Sequence, residues 1–83
     1  NPFNPVTRIG FSLEVSEPVS IYVYNTLGQR VRTLVSNEIR SLGSHEVIFD
    51  GRNDSGAGLP SGIYFYQLVA SDFAEMKKMM IIK

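Results

Sequence analysis

The sequence predicts an all-β fold, an antiparallel β-sandwich of about seven short strands. Three observations lead there. Apolar and polar residues alternate with period two in one short run after another, which gives each strand one apolar face. Clusters of Gly, Pro, Asn, Asp and Ser separate the runs at the roughly 8–12-residue spacing of sandwich turns. No segment shows a helical spacing that a strand does not fit as well.

The chain opens Asn1-Pro2-Phe3-Asn4-Pro5. Two prolines lack amide donors and push their predecessors into extended backbone, so residues 1–5 are expected to be an extended linker and residues 6–83 the folded domain. Ile9, Phe11 and Leu13 then face one way and Arg8, Gly10 and Ser12 the other. After a polar turn, Val19, Ile21 and Val23 alternate with Ser20, Tyr22 and Tyr24, a run rich in strand formers. Asn25-Thr26-Leu27-Gly28 is a turn into residues 29–35. That segment also fits helical spacing through Leu27, Val31, Leu34, Val35 and Ile39; its β-branched residues and the turn before it favour a strand. A brief further strand is expected around Ile39.

Val47 and Phe49 mark the next run. Residues 50–58 form the longest loop, dense in Gly, Asn and Asp, which accept left-handed backbone and cap their own amides. Residues 62–69 and 75–82 make a closing hairpin that turns at residues 71–73. Tyr64 and Tyr66 stand two apart on a late strand, where immunoglobulin-like domains place a tyrosine whose hydroxyl ties back to nearby backbone.

Composition excludes several functions. The chain has 83 residues and no cysteine, so disulfides, thiolate metal sites and thiol catalysis are ruled out. Eight basic residues balance eight acidic ones, which argues against a nucleic-acid partner or attachment to an anionic membrane. No apolar run approaches the roughly 20 residues that cross a bilayer as a helix. Starting at Asn1, the chain is expected to be a piece of a longer protein whose C-terminus is Lys83.

Candidate chemistry is sparse. His45 is the single histidine and has no partner for a triad or a zinc site. Ser61 sits in Pro-Ser-Gly, which is not a nucleophile elbow. Asp50, Asn53 and Asp54 resemble part of a calcium loop but lack its register and its bidentate Glu, so an Asx-stabilised turn is expected instead. Tyr22 with Tyr24, and Tyr64 with Tyr66, could stack sugars, though such pairs more often pack across strands. Lys77, Lys78 and Lys83 suit an exposed edge strand protected against aggregation. No enzyme activity, metal or cofactor is expected.

Several blocks taken together resemble a known family. They are Asn1-Pro2-Phe3-Asn4-Pro5, Val23-Tyr24-Asn25-Thr26-Leu27-Gly28-Gln29, the Asp50-Gly51-Arg52-Asn53 loop, Pro60-Ser61-Gly62-Ile63-Tyr64-Phe65-Tyr66 and Lys78-Met79-x-Ile81-x-Lys83. The chain resembles the C-terminal sorting domain of type IX secretion cargo proteins of Bacteroidetes-like bacteria. It is similar, less closely, to the immunoglobulin-like domain of the flagellar hook-capping protein.

The first resemblance implies a small immunoglobulin-like sandwich at the end of an exported cargo protein. An outer-membrane translocon would recognise it, and a sortase-like peptidase would remove it. It would pass through the periplasm to the cell surface or the medium without inserting into the membrane itself. Gly62 and Tyr64 would carry the family's glycine–tyrosine block, and Lys78 and Lys83 its terminal lysine block. Phe49 stands where that family often has Trp, which keeps an aromatic plug. Two other expectations stand beside it: a carbohydrate-binding module of a secreted glycosidase, and a structural immunoglobulin-like spacer as in the hook-capping protein.

Overall fold

Period-two alternation leaves each strand with an apolar face that only another apolar face can cover. The structure, a computed structural model that describes residues 7–83, meets this requirement with six strands. These are β1 (Thr7–Leu13), β2 (Glu17–Tyr24), β3 (Arg30–Arg40), β4 (Gly43–Phe49), β5 (Gly62–Val69) and β6 (Ala74–Ile81). Four form one sheet in the order β3-β2-β5-β6, and β1 pairs with β4 in the second. Every pairing is antiparallel. The expected all-β antiparallel sandwich is therefore the fold. The expected linker at residues 1–5 lies outside the described residues.

The two sheets meet through Ile9, Leu13 and Phe49 on one side and Val19, Ile21, Val23, Tyr64, Leu68, Met79 and Ile81 on the other. Phe49, Ile21 and Val23 are completely buried. Leu59, from the long loop, and Val35 complete this cluster. Burial of this kind contributes about 1.5–3 kcal/mol per large side chain, and it holds the sandwich together without a disulfide.

The segment with ambiguous periodicity is a strand. Its β-branched residues fit the pleat, and Asn25 turns the chain into it by accepting hydrogen bonds at Oδ1 from the amides of Leu27 and Gln29, both at 3.0 Å. Gly28 completes the turn with φ of 78°, a backbone region open to glycine at little cost.

The described residues hold six strands rather than about seven because the brief run around Ile39 continues β3. A β-bulge joins the two parts: Val19 opposes Glu38 and Ile21 opposes Val35, leaving Ser36 and Asn37 opposite Ser20 alone. Asn37 has φ of 49°, and its amide donates to Ser20 Oγ at 2.9 Å. The sequence shows turn residues here, and the bulge uses them without breaking the strand.

Glu17 is buried on β2 and ties down the far end of the last hairpin, accepting the Ser71 amide at 2.8 Å. Tyr64 closes the near end. The residue is 6% exposed, and its hydroxyl donates to the Pro60 carbonyl at 2.8 Å, the backbone tie expected of a tyrosine in this position.

Tyr64→Phe should cost about 1 kcal/mol, the net value of one hydrogen bond. Tyr64→Ala should cost about 3–5 kcal/mol, because it also empties a core site. Urea unfolding of both variants checks this pair. Equal losses would mean that the hydroxyl, and not the ring, carries the contribution of Tyr64.

Candidate functional site

The structure does not bring the four residues of the sorting expectation together on one surface. Gly62 opens β5 with φ of 156°, opposite Ile81. Tyr64 points into the core. Lys78 lies across from Phe65 on the outer row of β6 and is exposed. Lys83 is exposed at the long-loop end, where its amide donates to Ser61 Oγ at 3.0 Å. Its ammonium group lies over Gly58: a Cβ built there would stand 2.7 Å from Nζ. Gly62 and Tyr64 are thus parts of the fold, and the two lysines occupy separate places on the surface.

The tyrosine pairs do not form a flat stacking shelf. Tyr22 and Tyr24 meet at 63° with ring centroids 6.5 Å apart. The Arg30 guanidinium covers Tyr22 at 3.9 Å, a cation–π contact, and the Tyr24 hydroxyl donates to Gln67 Oε1 at 3.2 Å. Tyr64 is in the core and Tyr66 packs against it.

His45 stacks on Phe11 with centroids 5.3 Å apart, and its Nε2 lies 2.7 Å from the Ser41 carbonyl oxygen. It is a packing residue on the smaller sheet.

The densest polar network surrounds the long loop. Asn53 Oδ1 accepts the amides of Ser55 and Ala57, each at 3.0 Å, which is the expected Asx-stabilised turn. Arg32 on β3 carried no signal of its own among the charged residues of that strand. It reaches across to donate to Asp50 Oδ1 at 2.9 Å and to the Arg52 carbonyl at 2.8 Å. Asp54 Oδ1 accepts the Thr33 amide at 2.9 Å. The carboxylate oxygens that resembled calcium ligands are therefore engaged by donors from the protein, pinning the loop to β3. Partial burial pushes the Asp50 carboxyl up, but the Arg32 hydrogen bond, the Arg52 amide and the charges of both arginines outweigh it and hold it below its usual range.

Two clefts open between the sheets. One, of about 270 Å³, lies between β1 and β6 over Phe11, Tyr66, Glu75 and Lys77. The other, of about 340 Å³, lies at the far end beside Val15 and Phe73 and has Glu14, Glu17, Asp72 and Glu75 around it. Neither holds an arrangement of nucleophile, base and oxyanion donors.

Comparison with known proteins agrees with the fold. The model of the FlgD Ig-like domain family matches residues 3–72. Among solved structures the chain is similar to the crystal structure of FlgD from P. aeruginosa, at 24% identity and a TM-score of 0.71. That likeness covers 90% of this chain and 58% of the other, so this chain spans little more than half of FlgD, and at this identity the likeness speaks for the fold. No curated protein matches.

The Asp50 network gives stability a pH dependence. Its carboxyl is more acidic folded than unfolded, so its contribution is present above the unfolded pKa of about 3.9 and is lost as pH falls through the lower folded value. Asp50→Asn should lower the Tm at neutral pH, and the gap to wild type should close as pH falls below about 4 and through the lower folded value. A gap that stays constant across a series of thermal melts would show that the charge plays no part.

Proposed function

The chain belongs to the family of FlgD Ig-like domains, and from that membership we propose that it is a structural module. In this reading it is an immunoglobulin-like spacer, on the pattern of the flagellar hook-capping protein, that acts through its shape and surfaces and performs no reaction. The family match over residues 3–72 carries this reading.

The same finding corrects the sorting expectation. The less close of the two resemblances is the one that the family model and the solved structure support, and the type IX sorting role is withdrawn. The blocks that suggested it are largely those that build the sandwich: the Asn25 turn, the Asp50 loop and the Gly62–Tyr64 corner. A shared fold reproduces them whatever the function.

Geometry adds how such a spacer would be mounted. Thr7 pairs with Phe49, where the long loop begins, and Ile81 pairs with Gly62, where it ends. The loop closes on itself, Leu59 donating its amide to the Gly51 carbonyl at 2.8 Å. Both ends of the described chain therefore lie at the long-loop end of the sandwich. The turns at residues 14–16, 41–42 and 70–73 lie at the opposite end. Flanking polypeptide would attach at one end, and the module would project from it as a bracket.

The test is an exchange within the parent protein. Replacing residues 7–83 by an immunoglobulin-like sandwich of unrelated sequence, mounted by the same end, should preserve the parent's assembly, scored by its sedimentation profile. Loss of assembly with a folded replacement would overturn the spacer reading and make the module's own surface a recognition element. Saturable retention on insoluble polysaccharide, abolished by Tyr22→Ala, would overturn it in favour of a carbohydrate-binding module.

A further inference from the structure

β6 is an outer strand of the four-stranded sheet, and its charges are sorted along its length. Asp72 lies in the turn just before it, Glu75 stands near its start, and Lys77 and Lys78 follow at its middle. All four are exposed. The ion pairs among the described residues involve none of them. An edge strand of uniform charge repels a second copy of itself, which is how lysines protect edges. A strand in which an acid precedes a base does the reverse when it pairs antiparallel about a point between them, because Glu75 of each copy then meets Lys77 of the other.

The pattern also selects a register. Residues directly opposite across an antiparallel pair share a face, so a twofold axis must pass through one residue of β6. An axis at Glu75, Lys77 or Lys78 places like charges directly against each other. An axis at Met76 places Glu75 opposite Lys77 twice, with Ala74 opposite Lys78 and Phe73 opposite Met79. Glu75 and Lys77 share a face with buried Met79 and Ile81, so the two charge pairs fall on the inner side. On the outer side the two Met76 side chains, each 56% exposed in the single chain, would cover one another.

We propose that a second copy of this chain docks on β6, antiparallel about Met76, joining two four-stranded sheets into one continuous sheet. The occupant is a copy because the complementarity is within the strand itself: the row that would receive a partner is the row that would be presented to it. This inference is independent of the spacer reading and would stand if that reading failed. β6 begins at Ala74, beyond the residues matched by the family model.

Sedimentation equilibrium of the 83-residue chain, from about 10 µM to 1 mM, tests it. The expected result is a monomer–dimer equilibrium that weakens with added salt. Glu75→Lys and Lys77→Glu should each weaken the dimer about tenfold or more, since symmetry applies every change twice. The double variant carrying both should restore it. Thermal melts of the monomer should be nearly unchanged, because both side chains are exposed. If Glu75→Lys does not fold, Glu75→Gln removes the attraction without introducing repulsion and should still weaken the dimer. A chain that stays monomeric at 1 mM would overturn the proposal. So would a dimer indifferent to the single reversals, or one that the double reversal fails to restore.

Discussion

Everything in this molecule depends on pressing one apolar face of a four-stranded sheet against one of a two-stranded sheet. The chain has no cysteine, and a domain this small buries a modest share of its surface, roughly 60–65%. Inter-sheet packing around Phe49, Ile21 and Val23 therefore carries most of the stability. The polar ties act at its rim. Glu17 holds the turn at one end of the sandwich, while Tyr64 and Arg32 hold the long-loop end. Each adds a polar tie to a connection at the end of the sandwich.

Period two made most of this legible in advance. β1, β2 and β4 follow from alternation, because one face of each is buried and a slip of one residue would expose it; the closing hairpin follows from two apolar runs set either side of a turn. β3 was harder to read. Its apolar spacing also suits a helix, and the bulge at Ser36 and Asn37 shows the same residues that a true turn would use. Arg32 was not legible. One arginine among three in a strand gives no sign of the loop it will hold, because the partner, Asp50, lies 18 positions away and the pairing exists only once the sheets are stacked.

The functional expectation failed where the fold expectation succeeded, and for a related reason. Gly62 and Tyr64 looked like a signal to be recognised. In the structure one is a backbone conformation at the start of β5 and the other a core ring with a backbone tie. Residues that a fold requires recur wherever the fold recurs, so they identify architecture and leave function open. Lys78 and Lys83 lie outside the matched span, and no common surface joins them.

The unequal sheets also explain the composition of β6. Along its inner row, Glu75 and Lys77 are exposed while Met79 and Ile81 are buried. Two strands cannot cover four, so the sandwich closes over the C-terminal half of β6 and gapes over its N-terminal half, where the cleft against β1 opens. An apolar side chain in the gap would face water, and an ionised one there loses little hydration. Charged residues on β6 thus mark where the smaller sheet stops, and the same geometry makes the outer strand polar enough to stay soluble. How those charges are ordered is a separate matter, because solubility would be met equally well by four lysines. The order acid first and base second adds nothing to the monomer, in which none of the four forms an ion pair within the described chain. It acquires meaning only against a strand running the other way.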